Sequence, residues 1–455
     1  MKQLLFCLVW FVSLGMDGAA FPLTSGHHVA PYEVYRDTFR EGRYEEAMRQ
    51  IDAHIAERAD LQESRSFRYM VWCSDRAAIL AHIGRTEEAI AAMEEVVAAY
   101  SEPVFLWRLA NLYETTGHPN EALRILSLLD LQESHRWSFF LPDENLAAVG
   151  RIAEVLGEDP KRLLSNFYTV LLRNFPGSAP VLLAAADLAS RHNAYDLAEK
   201  YLLQILEEDP QHIEALAGLA TCYDKASDPR LSAVLESLIQ LDPRHFGAIA
   251  IQTKNLLDLG DTPAARRLLD IALKINPSHP ELNAYQAALH YLEDDLDAMQ
   301  AIQEKILARN PRGSIAYSIP GKTASRHYRF SDGAAMQEKA VTINPEDTEA
   351  RTQYALDLLR LGQDDKAKGE LERVFAANAY DVQVYNLLNL LDSIHAFERI
   401  ETDAFILQLP HKETAALHGP MRKLLNEAVA VFEEKYEITL QKPITIQVFD
   451  NHDDF

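Results

Sequence analysis

Proline recurs with a period of about 34 residues between positions 176 and 345, and this spacing restricts the fold more than any other feature. The prolines in register are Pro176, Pro210, Pro243, Pro277, Pro311 and Pro345. Several lie in the related phrases EDPQH, LDPRH, INPSH and INPED. A period of this length is typical of stacked helix pairs, because one pair cannot bury its apolar face alone. The sequence therefore predicts an array of helix pairs.

Small and apolar residues recur at fixed positions between these prolines. Alanines at 198, 265 and 367 are each followed four residues later by a leucine, at 202, 269 and 371. Gly260 and Gly362 stand where the first helix of a pair (helix A) turns into the second (helix B), and glycine adopts a left-handed turn at least cost. Upstream, the phrases EGRYEEAM, IGRTEEAI and TGHPNEAL contain the same turn at Gly42, Gly84 and Gly117.

With this period and these landmarks, the sequence resembles the tetratricopeptide repeat family. The resemblance covers residues 31–395, as about ten repeats and a capping helix near residues 381–394, with an aromatic-rich insertion, DLQESHRWSFFL, in between. It implies an all-α fold, a right-handed superhelix (an α-solenoid) whose A helices line a concave surface. Such a surface suits an extended protein or peptide ligand.

The first twenty residues read as a signal peptide. Lys2 precedes an apolar run from Leu4 to Leu14, and Gly18-Ala19-Ala20 provides small residues for cleavage before Phe21. The alternative is an uncleaved anchor, but the run is too short to span about 30 Å of hydrocarbon. We expect an exported protein, periplasmic or extracellular, with no transmembrane segment after cleavage.

The net charge limits the class of partner, and the cysteine count limits the use of disulfides in the fold. A formal charge of −24, with the basic residues scattered, argues against nucleic acid as a partner. Beyond the signal, only Cys73 and Cys222 remain, so the chain is not a disulfide scaffold. Because these two cysteines lie several repeats apart, both should be reduced packing residues.

The repeat register also selects candidate ligand-binding positions on the A helices. Projecting the groove positions of the repeat gives Asp187, Arg191, Lys254, Lys322, Arg326, Thr352 and Arg360. A small basic cluster in an acidic protein could clamp a peptide carboxylate, although charges on a solvated face are also common.

Catalytic and phosphate-binding motifs are weak in this sequence. The phrase GKTAS at Gly321 lacks the earlier glycine of a phosphate loop, and the register places it inside a helix A that Pro320 should kink or shorten. This predicts that residues 313–330 are the least regular part of the array.

The histidines do not form a metal-binding motif. No HExxH motif occurs, and His212, His245 and His279 recur just after repeat prolines, which indicates turn residues. We expect no metal, no cofactor and no catalytic residue.

Composition changes after residue 395. The stretch FERIETDAFILQL (397–409) alternates like a strand, a helix follows, and ITIQVF (444–449) reads as a second strand. Residues 396–455 resemble the beginning of the gluzincin-type (peptidase MA-like) zinc peptidase domain that some bacterial tetratricopeptide proteins contain. In that family the HExxH helix comes further downstream, so the resemblance assigns no catalytic role here, and His452 belongs to a strand-turn phrase.

These observations predict an exported, non-catalytic scaffold that binds protein or peptide ligands and ends in a short strand-helix-strand segment. The alternative is the N-terminal part of a zinc metallopeptidase whose catalytic part is missing. A third hypothesis is an assembly factor for an envelope complex.

Overall fold

The computed structural model describes residues 34–58, 66–129, 142–437, 439 and 443–449. The predicted signal peptide, the insertion at 130–141 and His452 lie outside these ranges. Contacts group the chain into two compact units, the first ending at Ala350 and the second beginning at Arg351. None of the described helices combines the length and the apolar character needed to cross a membrane.

Twenty of the described helices form ten successive A–B pairs, here numbered repeats 1 to 10. The A helices are α1 (Val34–Arg40), α3 (Phe67–His82), α5 (Pro103–Thr115), α7 (Asp143–Val155), α9 (Ala179–Arg191), α11 (Ile213–Lys225), α13 (Phe246–Asp258), α15 (Pro280–Leu292), α17 (Ile315–Arg326) and α19 (Thr348–Arg360). The B helices are α2 (Tyr44–Ala56), α4 (Thr86–Ala99), α6 (Pro119–Leu126), α8 (the successive segments Pro160–Arg162, Leu163–Tyr168 and Thr169–Asn174), α10 (Tyr195–Glu208), α12 (Leu231–Leu241), α14 (Thr262–Ile275), α16 (Leu296–Arg309), α18 (Phe330–Ile343) and α20 (Asp364–Ala377). A single helix, α21 (Val382–His395), follows the tenth pair. The fold is the all-α tetratricopeptide-type solenoid that the proline period predicts.

Each A-to-B turn contains one residue with left-handed backbone geometry. Glycine occupies this position in six of the ten repeats, at residues 42, 84, 117, 157, 260 and 362. The other four repeats use Asn193, Ser227, Asp294 and Tyr328. The left-handed turns predicted at Gly260 and Gly362 are confirmed, with φ of 76° and 70°.

The turn between repeats depends on an Asp or Asn that precedes the repeat proline. Its side-chain Oδ1 accepts the backbone N–H two residues later, at Asp209, Asp242, Asn276, Asn310 and Asn344. In three repeats a histidine then caps helix A, because Nδ1 of His212, His245 and His279 accepts the N–H three residues later. The prediction that these histidines are turn residues is confirmed, and helix capping explains their spacing.

Small residues allow the helices of a pair to approach closely. Ala198, Ala265 and Ala367 are fully buried in their B helices, and the leucines four residues later are buried with them. Gly321 lies inside α17, where a Cβ would fall 2.9 Å from Nε2 of Gln337. The packing interpretation of GKTAS is therefore confirmed, since a helix interior cannot form a phosphate loop.

Pro320 does not interrupt α17, which has 12 residues where α15 has 13. Proline has no N–H to donate to the carbonyl of Ala316, and Nε2 of Gln303 donates to that carbonyl instead, at 3.0 Å.

The prediction that residues 313–330 are the least regular part of the array is wrong, because α8 contains a π-helical segment, Leu163–Tyr168. The ring of Tyr168 packs there on Gly150, at a point that a Cβ would occupy.

Repeats 1 to 3 also contact repeats far along the chain, within the first unit. The A-to-B turns at Gly42, Gly84 and Gly117 meet the inter-repeat turns at Asp242, Asn276 and Asn310, in that order. We call this set of three contacts the closure. Each glycine is required there, because a Cβ at Gly84 or Gly117 would lie 2.6 Å from the Oδ1 of the opposing Asn276 or Asn310.

The C-terminal segment forms a three-stranded sheet and one long helix. Strand β1 (Glu398–Glu401) pairs antiparallel with β2 (Phe405–Leu409), helix α22 (His411–Tyr436) follows, and β3 (Ile444–Gln447) pairs parallel with β2. The stretch 397–409, read as one strand from its alternation, is thus a hairpin that reverses at Thr402, whose Oγ1 accepts the N–H of Phe405. One face of α22 packs on the sheet, whereas Leu424 and Phe432 are exposed.

Candidate binding face

Charged side chains on the A helices of the first unit form five groups of ion pairs, which together we call the charge row. Its members are Arg36, Asp75, Arg108, Glu154, Asp187, Arg191, Asp224, Lys254, Asp258, Lys322, Arg326 and Glu349. The repeat register explains how they come to share one face. Asp187, Lys254 and Lys322 lie six residues before the left-handed residue of their turn, whereas Arg191, Asp258 and Arg326 lie two residues before it. Positions four apart lie on the same face of a helix.

In repeats 1 to 3 the charge row is paired around a buried carboxylate, with Arg108 buried and Arg36 half-buried. Asp75 has no exposed surface and accepts hydrogen bonds from Tyr35 Oη at 3.0 Å and from Arg36 Nη2 at 2.8 Å. Arg108 Nη1 reaches the other oxygen of Asp75 at 3.2 Å and also donates to Ser74. One carboxylate thus joins three successive A helices, and removing it would take the acidic partner from the buried Arg108 and the half-buried Arg36.

From repeat 4 onward the pairs of the charge row are partly exposed. Arg191 donates to Glu154 of the preceding repeat at 2.6 Å, and Lys254 pairs with Asp224 of the repeat before it. Lys322 pairs at 3.0 Å with Glu349, whose side chain is 57% exposed. Water screens such pairs, so each contributes little stability, and a charged ligand can replace one member.

One contact indicates that the charge row faces the inside of the curve. Arg326 Nε of repeat 9 lies 4.0 Å from Asp258 Oδ2 of repeat 7, with repeat 8 between them. His327 also donates from Nε2 to the carbonyl of Leu257 at 2.8 Å. Alternate repeats of a stack can touch only where the stack bends toward them. The charge row therefore lies on the concave side.

The protonation states on this face follow from the pairing. Lys322 lowers the pKa of Glu349 to about 2, and Glu349 in turn raises the pKa of Lys322. Burial raises the pKa of Asp258, while Arg326 and Lys254 act against that rise. At neutral pH the face therefore carries fixed charges of both signs.

The structure brings together five of the seven groove residues predicted from the repeat register. Asp187, Arg191, Lys254, Lys322 and Arg326 belong to the charge row, while Thr352 and Arg360 lie on α19 in the second unit, half-buried and exposed respectively. Four of these five residues are basic, and each of the four pairs with an acidic residue that the register did not predict. The acidic partners are Glu154, Asp224, Asp258 and Glu349. Because of these partners the face is not a free basic cluster, and a role in peptide binding stays a prediction.

Within the described ranges, no group of His, Cys, Asp and Glu is arranged to hold a metal ion. Cys73 and Cys222 are free thiols, as predicted, and burial raises the pKa of both.

Comparison with known proteins gives structural matches only. A tetratricopeptide repeat protein from Parabacteroides merdae is 18% identical, covering 56% of this chain and 99% of its own, with a TM-score of 0.39. Yeast Tom70 is 12% identical, covering 90% of this chain and 91% of its own, with a TM-score of 0.38. A human IFIT1 dimer with PPP-AAAA is 14% identical, covering 84% of this chain and 96% of its own, with a TM-score of 0.40. No family model matches the chain, and no curated protein matches it.

Proposed function

We propose that this chain is an exported, non-catalytic scaffold that holds an extended segment of a partner protein against the concave A-helix face of repeats 4 to 9. The observation that carries the proposal is the charge row, in which partly exposed ion pairs succeed one another along that face. The resemblance of the C-terminal segment to a gluzincin-type domain supplies no ligand-holding residues and does not alter this proposal.

The pairing suggests the chemistry of the ligand. A ligand with only acidic groups would have to break each ion pair and would leave Asp224, Asp258 or Glu349 facing its own charges. A segment with acidic and basic side chains at intervals can replace one member of a pair and neutralise the other. The partner we propose is therefore a polypeptide segment of mixed charge, in place of the single carboxylate suggested by the sequence.

A charge swap within one pair tests the proposal. Exchanging Asp224→Lys with Lys254→Asp keeps an ion pair between repeats 6 and 7 but reverses its direction. Binding of mixed-charge peptides from a synthetic 15-residue library should weaken about tenfold, since reversing the sign of one interaction worth about 0.7 kcal/mol changes the binding free energy by about 1.4 kcal/mol. Fluorescence anisotropy at low salt measures this, and circular dichroism reports whether the fold is retained.

The matched control is a swap outside the charge row, Arg266→Glu with Glu293→Arg, whose ion pair joins α14 to the turn after α15. That variant should bind the library as the parent does. Equal binding by both swapped variants, or no binding by the parent chain, would disprove the proposed binding face.

A further inference from the structure

The closure differs in character from the other contacts between repeats. Repeats 1 to 3 have a core of their own, which includes Ile51, Ile79 and Leu106, and repeats 7 and 8 share another around Phe246 and Leu269. Two side chains from the partner repeats pack against repeats 1 to 3: Ile275 as a half-buried neighbour of the first core, and Phe246 on the rings of His82 and Tyr44. Separation of the two sides would expose Phe246 and Tyr44 at the contact, while the other members of each core stay packed within their own repeats, as expected where stability comes from neighbouring repeats.

The polar contacts at the closure use side-chain atoms that take no part in the hydrogen bonds of the inter-repeat turns. Tyr44 Oη donates to Asp242 Oδ2 at 2.7 Å, and Asn276 Nδ2 donates to the carbonyl of His82 at 3.0 Å. Asn310 Nδ2 donates more weakly to the carbonyl of Glu114, at 3.4 Å. Each of these residues uses Oδ1 for its own turn, so its other polar atom, Oδ2 or Nδ2, makes the contact with repeats 1 to 3.

His82 lies at the centre of the closure and is enclosed by aromatic rings. Its ring stacks on Phe246 of repeat 7, with centroids 4.4 Å apart and planes 9° apart, and lies 4.0 Å from the ring of Tyr44. Phe39 meets it edge-on at 5.3 Å. The side chain is 7% exposed, and neither ring nitrogen has a hydrogen-bond partner among the described residues.

The charged and titratable groups around His82 would not accommodate a proton. His279 and His245 face it from the partner repeats, and both act against a positive charge. Arg244 lies over the Tyr44 ring at 5.8 Å. Asp242, which bonds to Tyr44 beside His82, already accepts hydrogen bonds on both oxygens, from Tyr44 and from the N–H of Arg244. A charged imidazolium here would be desolvated and unpaired, which is strongly unfavourable.

We propose that the closure is an acid-released contact: repeats 1 to 3 stay docked on repeats 7 to 9 while His82 is neutral and separate from them when it is protonated. The inference does not depend on the proposed function. Burial lowers the pKa of His82 well below its usual value in the docked state. In the separated state the ring meets water and regains a pKa near 6.5. Through His82 alone, the ratio of docked to separated molecules should then fall about tenfold for each pH unit below about 6.5.

A second titratable group at the closure acts in the opposite direction. Burial raises the pKa of Glu114 to about 7, although Arg312 from the opposing turn lowers it. Docking therefore favours the protonated carboxyl, and acid strengthens the contact between the ordinary value near 4.5 and about 7. In the natural chain the two effects offset each other over this range. Release should begin only below about pH 4.5, where Glu114 is protonated in both states.

The variant Glu114→Gln isolates the effect of His82. At pH 5.0 its ratio of docked to separated molecules should be about thirtyfold lower than at pH 7.5, since pH 5.0 is 1.5 units below the free histidine value. Hydrogen exchange measures this in the backbone of the turns at 82–86 and 276–280, after correction for the intrinsic pH dependence. Small-angle X-ray scattering should show a larger radius of gyration, and circular dichroism should show unchanged helix content.

Two further variants test whether His82 is the source of the acid response. Adding His82→Phe to Glu114→Gln keeps the aromatic stack and should abolish the acid response, whereas adding His54→Phe should leave it intact. His54 is a suitable control because it lies in the same three repeats, edge-on to Trp72 at 4.4 Å. A response that survives His82→Phe, or no response in Glu114→Gln itself, would overturn the proposal.

A cross-link distinguishes separation of the closure from local fraying. Replacing Gly117 and Asn310 by cysteines places two thiols at the third contact, where the Cβ of residue 117 would lie 3.2 Å from the Asn310 Cγ. The second substitution removes the Asn310 Oδ1, which excludes a Cβ at residue 117 in the parent chain. Oxidation should suppress the acid response in the Glu114→Gln background, and reduction should restore it. An acid response that is unchanged by oxidation would show that repeats 1 to 3 do not move away, and the proposal would fail. The same pair also serves if His82→Phe does not fold.

Discussion

Tyr328 occupies a position where the other repeats have glycine or a small polar residue. Its φ is 61°, and its side chain is 83% exposed, so few contacts offset the strain of a left-handed backbone. The ring of Phe330, with its centroid 6.0 Å away, is its aromatic neighbour. Strain held at one exposed residue is a feature of functional turns, although here it identifies no ligand.

Replacing Tyr328 by glycine should raise the free energy of unfolding by about 0.5–1 kcal/mol, because the left-handed strain disappears at a small cost in chain entropy. Chemical denaturation measures the change. Tyr328→Ala is the matched control, since it removes the ring but keeps a Cβ, and it should give no gain. Equal stabilisation by both variants would show that the exposed ring, and not the backbone, is unfavourable.

Within α17, a side chain from the neighbouring helix replaces a missing backbone bond. Gln303 on α16 is 2% exposed and donates to the Ala316 carbonyl that Pro320 leaves unpaired. A second glutamine, Gln337 on α18, donates to the carbonyl of Ser318 at 2.8 Å. The Gln303 amide explains why the proline is tolerated inside the helix.

The substitution Gln303→Leu should lower the free energy of unfolding by about 1–3 kcal/mol, because it leaves a buried carbonyl without a donor. In a Pro320→Ala background the backbone N–H of residue 320 can bond to Ala316, and the same substitution should cost clearly less. A double-mutant cycle from denaturation curves gives the coupling. An identical cost in both backgrounds would mean that Gln303 contributes by packing alone.

The sequence predicted the elements better than the contacts between them. The repeat register and the helices follow from residues that act locally, such as the prolines, Gly260 and the capping His279. These predictions are confirmed. The π-helical segment was not predicted, because it depends on how Tyr168 packs against Gly150 of another helix. The acidic partners in the charge row were missed for a similar reason, since Asp258 pairs with a base two repeats away.

At the scale of the first unit, the closure joins residues that are nearly 200 positions apart in the sequence. Tyr44 in repeat 1 bonds to Asp242, which opens repeat 7. Glycine at 42 and aspartate at 242 are visible in the sequence, but nothing in either repeat shows that the two meet. Such a contact depends on how far each repeat rotates relative to the previous one, which is a property of the whole stack.

Replacing Tyr44 by alanine should therefore raise the exchange rate of amides in the segment 242–249 by about tenfold or more, since their docking partner is lost. Hydrogen exchange with mass spectrometry measures this segment directly. Tyr69→Ala is the control, because it removes another buried tyrosine of the first three repeats, whose neighbours are Ser66 and Cys73. Similar protection of 242–249 in the parent and in Tyr44→Ala would contradict a long-range role for the closure.

The repetition within the closure has a consequence for the number of repeats. Each of its contacts sets a glycine against an Asp-Pro or Asn-Pro turn, and the turn at Asp209-Pro210 has the same chemistry as the three in use. Duplicating one repeat between repeats 4 and 6 would shift the alignment by one step. Gly42, Gly84 and Gly117 would then meet turns of the same type at different places in the chain. The closure can therefore still form after the insertion of a whole repeat, whereas the insertion of half a repeat would place helices opposite the glycines.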